Sequence, residues 1–234
     1  MNSKRIYPLP SCDAFIELID LMGSEQTVLH SARISTGTAS TEQGIITEPR
    51  DLKLLRYLYT HEHFSTFESV TMTFHIRAPI FVARQWFRHR TWSYNEISGR
   101  YTELKHGAYQ PVLGELRSQS PLNKQSSGSP LPPEIAEECA VTLGTAYSLA
   151  HAAYQSLLQL GLSRETARMV LPLATLTEFR ATVNLRNVLE FLRLRGHPSA
   201  QYEIRVYAKA ITELLQPRFP NVFELFFEKN PKTY

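Results

Sequence analysis

The sequence predicts an α+β fold: one domain in which several helices, one of them long, pack with a small antiparallel sheet. Three observations point there. Val70, Met72, Phe74 and Ile76 alternate with Thr71, Thr73, His75 and Arg77, and Phe179, Ala181 and Val183 alternate with Glu178, Arg180 and Thr182; a period of two belongs to strands with one buried face. Between them runs a long Ala-rich amphipathic stretch from about Pro133 to Leu160, with Gly161 where helices commonly end on a left-handed residue. No internal repeat and no domain boundary interrupts residues 1–234, a length that suits one domain with a substantial core.

The remaining elements follow in chain order. Met1 to Pro10 holds Lys4 and Arg5 but no apolar run or small-residue cleavage site, so no secretory leader is expected and the expected compartment is the cytoplasm. Phe15, Leu18, Ile19 and Met22 recur at helical spacing and stop at Gly23, predicting a first short helix with Cys12 at its start. Asp51 to His61 reads as a second helix, with Leu52, Leu55, Leu58 and Tyr59 on one face. After the first strand, Pro79 suits the opening turn of a helix that continues from Ile80 to His89. Thr91 to Tyr101 is polar and contains Gly99, and reads as a loop. Residues 114–133 are rich in Ser, Pro, Gln and Gly and predict a long loop. Within it Asn123-Lys124-Gln125 reads as a solvated flap whose ordering on ligand binding is an expectation. Beyond the long helix, Ser163 caps a short helix that ends before Pro172. Asn184 caps another that runs to Arg195, where Gly196 and Pro198 interrupt it. A final helix spans about Ser199 to Gln216, and a short one follows Pro220.

Composition excludes several classes. Hydrophobic residues are 43% and charged residues 20% of the chain, and no apolar run approaches the roughly 20 residues that cross a bilayer. Cys12 and Cys139 lie far apart, which excludes a disulfide framework and leaves two reduced thiols. A net charge of +3 is too small to argue for nucleic-acid binding. Arginine nevertheless outnumbers lysine 18 to 7. Its planar fork suits bidentate contacts to phosphate and carboxylate, so the excess hints at small anionic ligands; a coding bias would produce the same count.

Chemistry concentrates in Arg84-Gln85-Trp86-Phe87-Arg88-His89-Arg90-Thr91-Trp92-Ser93-Tyr94-Asn95-Glu96-Ile97-Ser98-Gly99-Arg100-Tyr101. Arg84 and Arg88 are one helical turn apart, and Gln85, Arg88 and His89 straddle the predicted helix end. The following loop supplies Asn95, Glu96, Ser98 and Gly99, the last allowing backbone to approach a ligand closely. Guanidinium forks suit phosphates, aromatic faces suit flat rings, and Glu96 can accept a ribose hydroxyl or ring N–H. The segment describes a nucleotide site. For Arg84 alone a solvated helix end is the simpler account, but a solvated face has no use for so many different donors. Single-stranded nucleic-acid binding also combines arginine with aromatic platforms; Glu96, Glu103 and the low net charge oppose it.

Arg88-His89-Arg90, seven further residues and Ser98 resemble the signature of flavin-dependent thymidylate synthases. Ser93, Asn95, Glu96, Gly99, Arg100 and Tyr101 extend the match, as does Ala78-Pro79-Ile80-Phe81-Val82-Ala83-Arg84-Gln85-Trp86. The resemblance runs from Ala32-Arg33-Ile34-Ser35 through Phe219-Pro220. It implies a homotetramer with active sites shared between subunits, binding FAD and dUMP. Methylenetetrahydrofolate would donate carbon and NADPH would be the reductant, yielding dTMP. By the same resemblance Gln85, Arg88, Glu96, Ser98, Gly99, Arg100, Arg168 and Arg195 hold dUMP. Arg168, in Thr166-Ala167-Arg168-Met169-Val170-Leu171-Pro172-Leu173, reaches the phosphate, from a neighbouring subunit. Arg195 stands at the uracil edge, where a permanent cation favours the N3-deprotonated ring. Ser98 holds the position of a nucleophile but lacks a paired base, and the family assigns it as a ligand-orienting donor. Arg195 and Ser98 are thus the expected catalytic residues. For FAD the matching positions are Ser35, Ser65, Glu68, Arg88, His89, Arg90, Asn95, Glu96, Asn184 and Arg186.

Two departures touch the FAD contacts. Ser199 precedes Ala200-Gln201-Tyr202-Glu203 where the family commonly has histidine, with His197 two positions earlier, and Glu190 stands where an amide is expected. An alternative is a nucleotide- or RNA-binding protein that has lost catalysis on the same scaffold; joint retention of Ser98, Arg168 and Arg195 weighs against it. His61-Glu62-His63, with His75 as a third ligand, suggests a metal, but such pairs are common on surfaces and no metal is expected. The family reading instead sets His63 near the folate or nicotinamide entrance.

Overall fold

The alternating segments form the middle of the molecule. In a computed structural model describing residues 4–38, 42–124 and 126–233, β3 (Thr71–Pro79) pairs antiparallel with β7 (Leu176–Asn184) over its whole length, from Thr71 opposite Asn184 to Pro79 opposite Leu176. β1 (Arg5–Ile6) and β2 (Phe15–Met22) extend the sheet on one side and β4 (Ser93–Glu96) on the other, in the order β1-β2-β3-β7-β4. The sheet is antiparallel throughout.

One face is the core. Met72, Phe74, Ile76, Phe179, Ala181 and Val183 are each no more than 3% exposed, and burying an apolar side chain of this size contributes roughly 1.5–3 kcal/mol. α3 (Ile80–Trp86), α6 (Leu185–Arg195) and α7 (Tyr202–Leu215) cover this face. Trp86 joins them: its ring centroid lies 5.6 Å from Phe179, 4.8 Å from Phe191 and 5.7 Å from Tyr207. α1 (Glu25–Arg33), α2 (Pro49–Thr60) and α8 (Pro220–Lys229) pack beside this layer. Glu25, fully buried, accepts backbone N–H bonds from Asn221 at 2.8 Å and Val222 at 3.1 Å, tying α1 to the start of α8.

The other face is ionic. Arg5 donates to Glu17, and His75 bridges Glu17 at 2.9 Å and Glu178 at 2.6 Å. Arg77 pairs with both Glu178 and Asp13. His75 is therefore engaged away from His61 and His63, and among the described residues no group of three or more His, Cys, Asp or Glu is arranged to hold a metal ion.

Several predicted elements form as read: the helices at Pro49–Thr60, Leu185–Arg195 and Tyr202–Leu215, and the long α4 (Pro133–Gln159), followed by Gly161 at φ 85°. Asn184 Oδ1 accepts from the Asn187 N–H at 3.0 Å, the expected cap. Ser163 precedes α5 (Arg164–Ala167), and a 3-10 turn Arg168–Val170 follows. Phe15–Met22, however, is a strand and not a helix, and Cys12 lies in the turn before it. A bulge between Leu18 and Asp20 shifts the register, so that Ile16, Leu18 and Leu21 oppose Ile76, Phe74 and Met72 on the core face. One extra residue turns a period of two into a spacing of three, which imitates a helix. The Ile80 helix stops at Trp86, leaving Arg88, His89 and Arg90 in turns. Part of the predicted 91–101 loop is the edge strand β4, and the 114–133 segment carries a short hairpin, β5 (Arg117–Gln119) with β6 (Ser127–Pro130). Gln125 lies outside the described residues. Residues 5–6 and Glu25–Arg33, read as neither strand nor helix in sequence, form β1 and α1.

Candidate active site

The expected ligand residues fall into three groups, each held by different elements. The first follows the edge strand. β4 pairs with β7, and the Ile97 N–H donates to the Glu178 carbonyl at 2.8 Å, which aims the chain into a tight turn. There the Tyr101 and Thr102 N–H groups both donate to the Ser98 carbonyl, and the Ser98 hydroxyl accepts from the Arg100 N–H at 3.2 Å. Ser98 thus shapes the turn as an acceptor, and among the described residues no base is hydrogen-bonded to its hydroxyl. Gly99 is buried, and a Cβ on it would stand 3.1 Å from Arg168 Cδ. Arg168 therefore meets the Ser98–Arg100 turn within one chain. Glu165 couples the two cations: its carboxylate accepts from Arg100 Nε at 3.1 Å and its carbonyl from Arg168 Nε at 3.3 Å. Glu96 accepts from the Thr177 hydroxyl at 2.5 Å.

The second group gathers where α3 and α6 end. Arg195, in the last turn of α6, donates from Nε to His89 Nε2 at 2.9 Å and from Nη2 to the Gln85 carbonyl at 3.2 Å. Gln85 Nε2 donates to Gln201 Oε1, just before α7, while Arg88 is exposed in the turn after α3. Burial, reinforced by the charge of Arg195 and opposed by Glu190, lowers the His89 pKa to about 4. His89 is consequently neutral, and because Nε2 accepts, its proton sits on Nδ1. Burial also lowers the Arg195 pKa. Both acceptors of Arg195 are uncharged, so its positive charge remains available to a ligand.

The third group lies at the opposite end of α6. Arg186, in its first turn, pairs with Glu68 of the 3-10 helix Phe64–Ser69, which also holds Ser65. Ser31 and Ser69 share a hydroxyl bond of 2.7 Å that brings the end of α1, and Ser35 in the turn after it, to the same place. Exposed hydroxyls, a guanidinium and the positive end of an 11-residue helix make a donor set that fits an anionic dinucleotide. Arg186 and Arg195 are separated by nine residues of α6, about 14 Å along its axis. Arg90 and Asn95 are exposed on the β4 side, Asn95 opposite Arg180 on the ionic face.

Glu190 pairs with Arg193 one turn away, at 2.6 Å. His197 Nδ1 lies 2.7 Å from the Ser199 hydroxyl, so Pro198 turns its ring back onto the backbone that precedes α7. Sequence reasoning missed Glu165, Thr177 and Gln201. Glu165 carried a signal, three residues before Arg168 in the first turn of α5; the other two announce themselves only through pairing across the fold.

A family model described as thymidylate synthase complementing protein matches residues 17–221. A flavin-dependent thymidylate synthase of Thermus thermophilus is 46% identical over 92% of this chain and 76% of its own length. The corresponding protein of Thermotoga neapolitana is 39% identical over 92% of this chain and 91% of its own. Among solved structures, a UMP/dUMP methylase, PolB from Streptomyces cacaoi, bound with 5-bromo-dUMP, superposes with a TM-score of 0.84 at 33% identity, covering 95% of this chain and 98% of that one. With its fold, its edge-strand turn and its arginine-rich groups, the chain belongs to the flavin-dependent thymidylate synthase family.

Proposed function

We infer that this protein methylates dUMP at C5 to give dTMP, as a flavin-dependent thymidylate synthase. Methylenetetrahydrofolate donates the carbon and NADPH the reducing equivalents. The single observation that carries the reading is Arg195, a half-buried cation whose partners, His89 and the Gln85 carbonyl, are both neutral. Facing a uracil edge, such a charge favours the N3-deprotonated ring and makes C5 more nucleophilic. A purely binding role would leave this cation without purpose, and the relatives' names favour catalysis.

The Ser98–Arg100 turn and Arg168 suit the phosphate of dUMP, with buried Gly99 letting backbone come close and Arg100 and Arg168 supplying charge. Gln85 and Arg88 belong to the Arg195 group. Since Arg168 reaches the Ser98 turn within one chain, the division of a shared site is proposed between these two groups, one from each subunit. FAD is assigned to Ser35, Ser65, Glu68, Asn184 and Arg186 at the start of α6, with Arg88, His89, Arg90, Asn95 and Glu96 completing its contacts. When bound, FAD carries to the transferred carbon the hydride equivalents that turn a methylene into a methyl group. His89, neutral and fixed as the Nδ1–H tautomer, would then meet the flavin as a donor.

A homotetramer is part of the reading. In α4 only Ala136 and Tyr154 are buried, whereas Ile135, Val141 and Leu149 are 49%, 69% and 67% exposed. A 27-residue helix with this much apolar surface suits a contact with further copies of the chain. No helix among the described residues is long and apolar enough to cross a membrane, and the cytoplasm is the proposed compartment.

The test is tritium release from [5-3H]dUMP with methylenetetrahydrofolate and NADPH, with and without FAD. FAD-dependent release is the expected outcome. Absence of release despite measurable dUMP binding would overturn the reading.

A further inference from the structure

The apolar face of β7 carries a polar exception. Thr177 shares that face with Phe179, Ala181 and Val183, lies opposite Ala78 of β3 and is only 3% exposed. Its hydroxyl makes one hydrogen bond among the described residues, donating to Glu96 Oε1 at 2.5 Å. Buried hydroxyls need a partner, and a nearby carbonyl commonly serves; buried Thr212, for instance, donates to the Ala208 carbonyl of its own helix. Thr177 instead reaches the carboxylate of an exposed residue. Valine would fill the same place in the strand and need no partner at all, and Glu96 without the threonine would be solvated. The fold requires neither side chain to meet the other, so what the bond fixes is the direction of the carboxylate.

The backbone explains where that direction leads. β4 ends at Glu96, opposite Phe179, and the Ile97 N–H still reaches the Glu178 carbonyl. One further step in the same register would set Ser98 opposite Thr177, but there the chain leaves the sheet for the Ser98–Arg100 turn. Thr177 therefore stands where the edge strand departs toward the proposed phosphate group, and Glu96 reaches back to it. An ionised carboxylate only accepts; with Oε1 on Thr177, Oε2 has no partner among the described residues. The nucleotide dUMP offers two donors, the ring N3–H and the 3′-hydroxyl. Arg195 at the uracil edge favours loss of the first, and Glu96 lies on the strand that leads to the phosphate turn, so the sugar hydroxyl is the donor left for it.

We propose that Thr177 is a positioning residue, which holds Glu96 so that its free oxygen accepts from the 3′-hydroxyl of the nucleotide. The inference rests on the proposed function for the identity of that nucleotide. Because the carboxylate is held before the ligand arrives, less side-chain freedom is lost on binding.

The experiment is calorimetric titration of the FAD-loaded protein with dUMP and with its 3′-deoxy analogue, 2′,3′-dideoxyuridine 5′-monophosphate, alongside thermal melts and flavin content. The parent is expected to bind dUMP at least about tenfold more tightly than the analogue. Thr177→Val and Thr177→Ala should each weaken dUMP about fivefold and leave the analogue within about twofold, with flavin content unchanged. Thr177→Ser, which keeps the hydroxyl, should restore most of the preference. In tritium release the Thr177→Val loss should fall on KM, with kcat within about threefold of the parent, as for a contact made equally in ground and transition states. In a Glu96→Gln background the same substitution should change dUMP affinity less than about twofold. The proposal is overturned if the parent does not distinguish the two nucleotides, or if their affinity ratio survives loss of the hydroxyl. It is equally overturned if the hydroxyl matters as much in Glu96→Gln, or if neither Thr177→Val nor Thr177→Ala folds, since either result makes Thr177 merely structural. A parent that prefers dUMP through Thr177 yet releases no tritium would refute the synthase reading and leave the positioning role standing.

Discussion

Arginine and histidine come together twice in this molecule, under opposite electrostatics. On the ionic face of the sheet Arg77 and His75 converge on the Glu178 carboxylate, with Glu17 and Asp13 supplying further negative charge. At the end of α6 Arg195 donates to His89 and to a backbone carbonyl, and neither acceptor is charged. In the first cluster every cation has a carboxylate, so the interactions are spent on holding β2, β3 and β7 in register. In the second the protein keeps an arginine half-buried without cancelling its charge, an arrangement that folding alone does not favour. The difference separates arginine used as structure from arginine held for a ligand.

Removing the uncancelled charge should have the largest effect. Arg195→Ala is expected to reduce tritium release from dUMP at least about a hundredfold, the scale of losing one preorganised electrostatic contact in a reacting site. The fold should survive, because only hydrogen bonds to His89 and Gln85 are lost and both groups lie near the surface turn after α3. Turnover within a few-fold of the parent would show that Arg195 is structural after all and erase the distinction.

Breaking the cancelled cluster should do the reverse. Glu178→Ala leaves Arg77 and His75 without their common acceptor, and a loss of about 1–2 kcal/mol in stability is expected, already discounted for solvent screening at this partly buried site. The folded fraction should retain dUMP affinity. The same cluster sets an acid limit. Hydrogen bonding from Arg5, opposed by burial and aided by His75, lowers the Glu17 pKa. For Glu178 burial acts to raise the pKa, but bonds from Arg77 and His75 outweigh it and the net shift is downward. Carboxylates depressed in the folded state contribute stability that is present above their unfolded pKa, near 4.3, and is lost as pH falls through the folded value. Chemical denaturation across pH 2–6 should therefore show the parent losing stability below about pH 4, with a shallower loss in Glu178→Ala; parallel curves would mean that the cluster carries no linked stability.

Legibility in the sequence divides along the same line as the two clusters. The strict alternation of β3 and β7, the cap at Asn184 and the glycine after α4 are local signals and were readable. The strand at Phe15–Met22 was not, because a bulge places Leu18 and Leu21 on one face three residues apart. Arginine types and spacing in the 84–101 segment marked a nucleotide site, but the partners that decide the state of each cation are remote in sequence: Arg195 is 106 residues from His89, and Glu165 is 65 from Arg100. Whether a charge is cancelled is a property of tertiary pairing, and no window along the chain contains it. Glu62 is an intermediate case, since the end of α2 was legible whereas its left-handed backbone and its reach to Lys229 were not.

The smallest effect should come from adding a single carbon between two cations of the edge-strand group. Gly99 has no positive φ, so alanine is compatible with its backbone. Its Cβ would nevertheless meet Arg168 Cδ at 3.1 Å and Leu104 Cδ1 at 3.3 Å. Leu104 is buried, whereas Arg168 is exposed and flexible, so the arginine is the side chain that yields. Displacement by a few tenths of an ångström leaves the charge near the turn but spoils a close approach of ligand to the Gly99 backbone. Gly99→Ala is expected to weaken dUMP roughly threefold by equilibrium titration, with Tm unchanged. A loss as large as that of Arg195→Ala would mean that the turn governs catalysis and not merely phosphate affinity; no loss at all would move the phosphate away from Gly99 and Arg168, and with it the proposed division of the site between subunits.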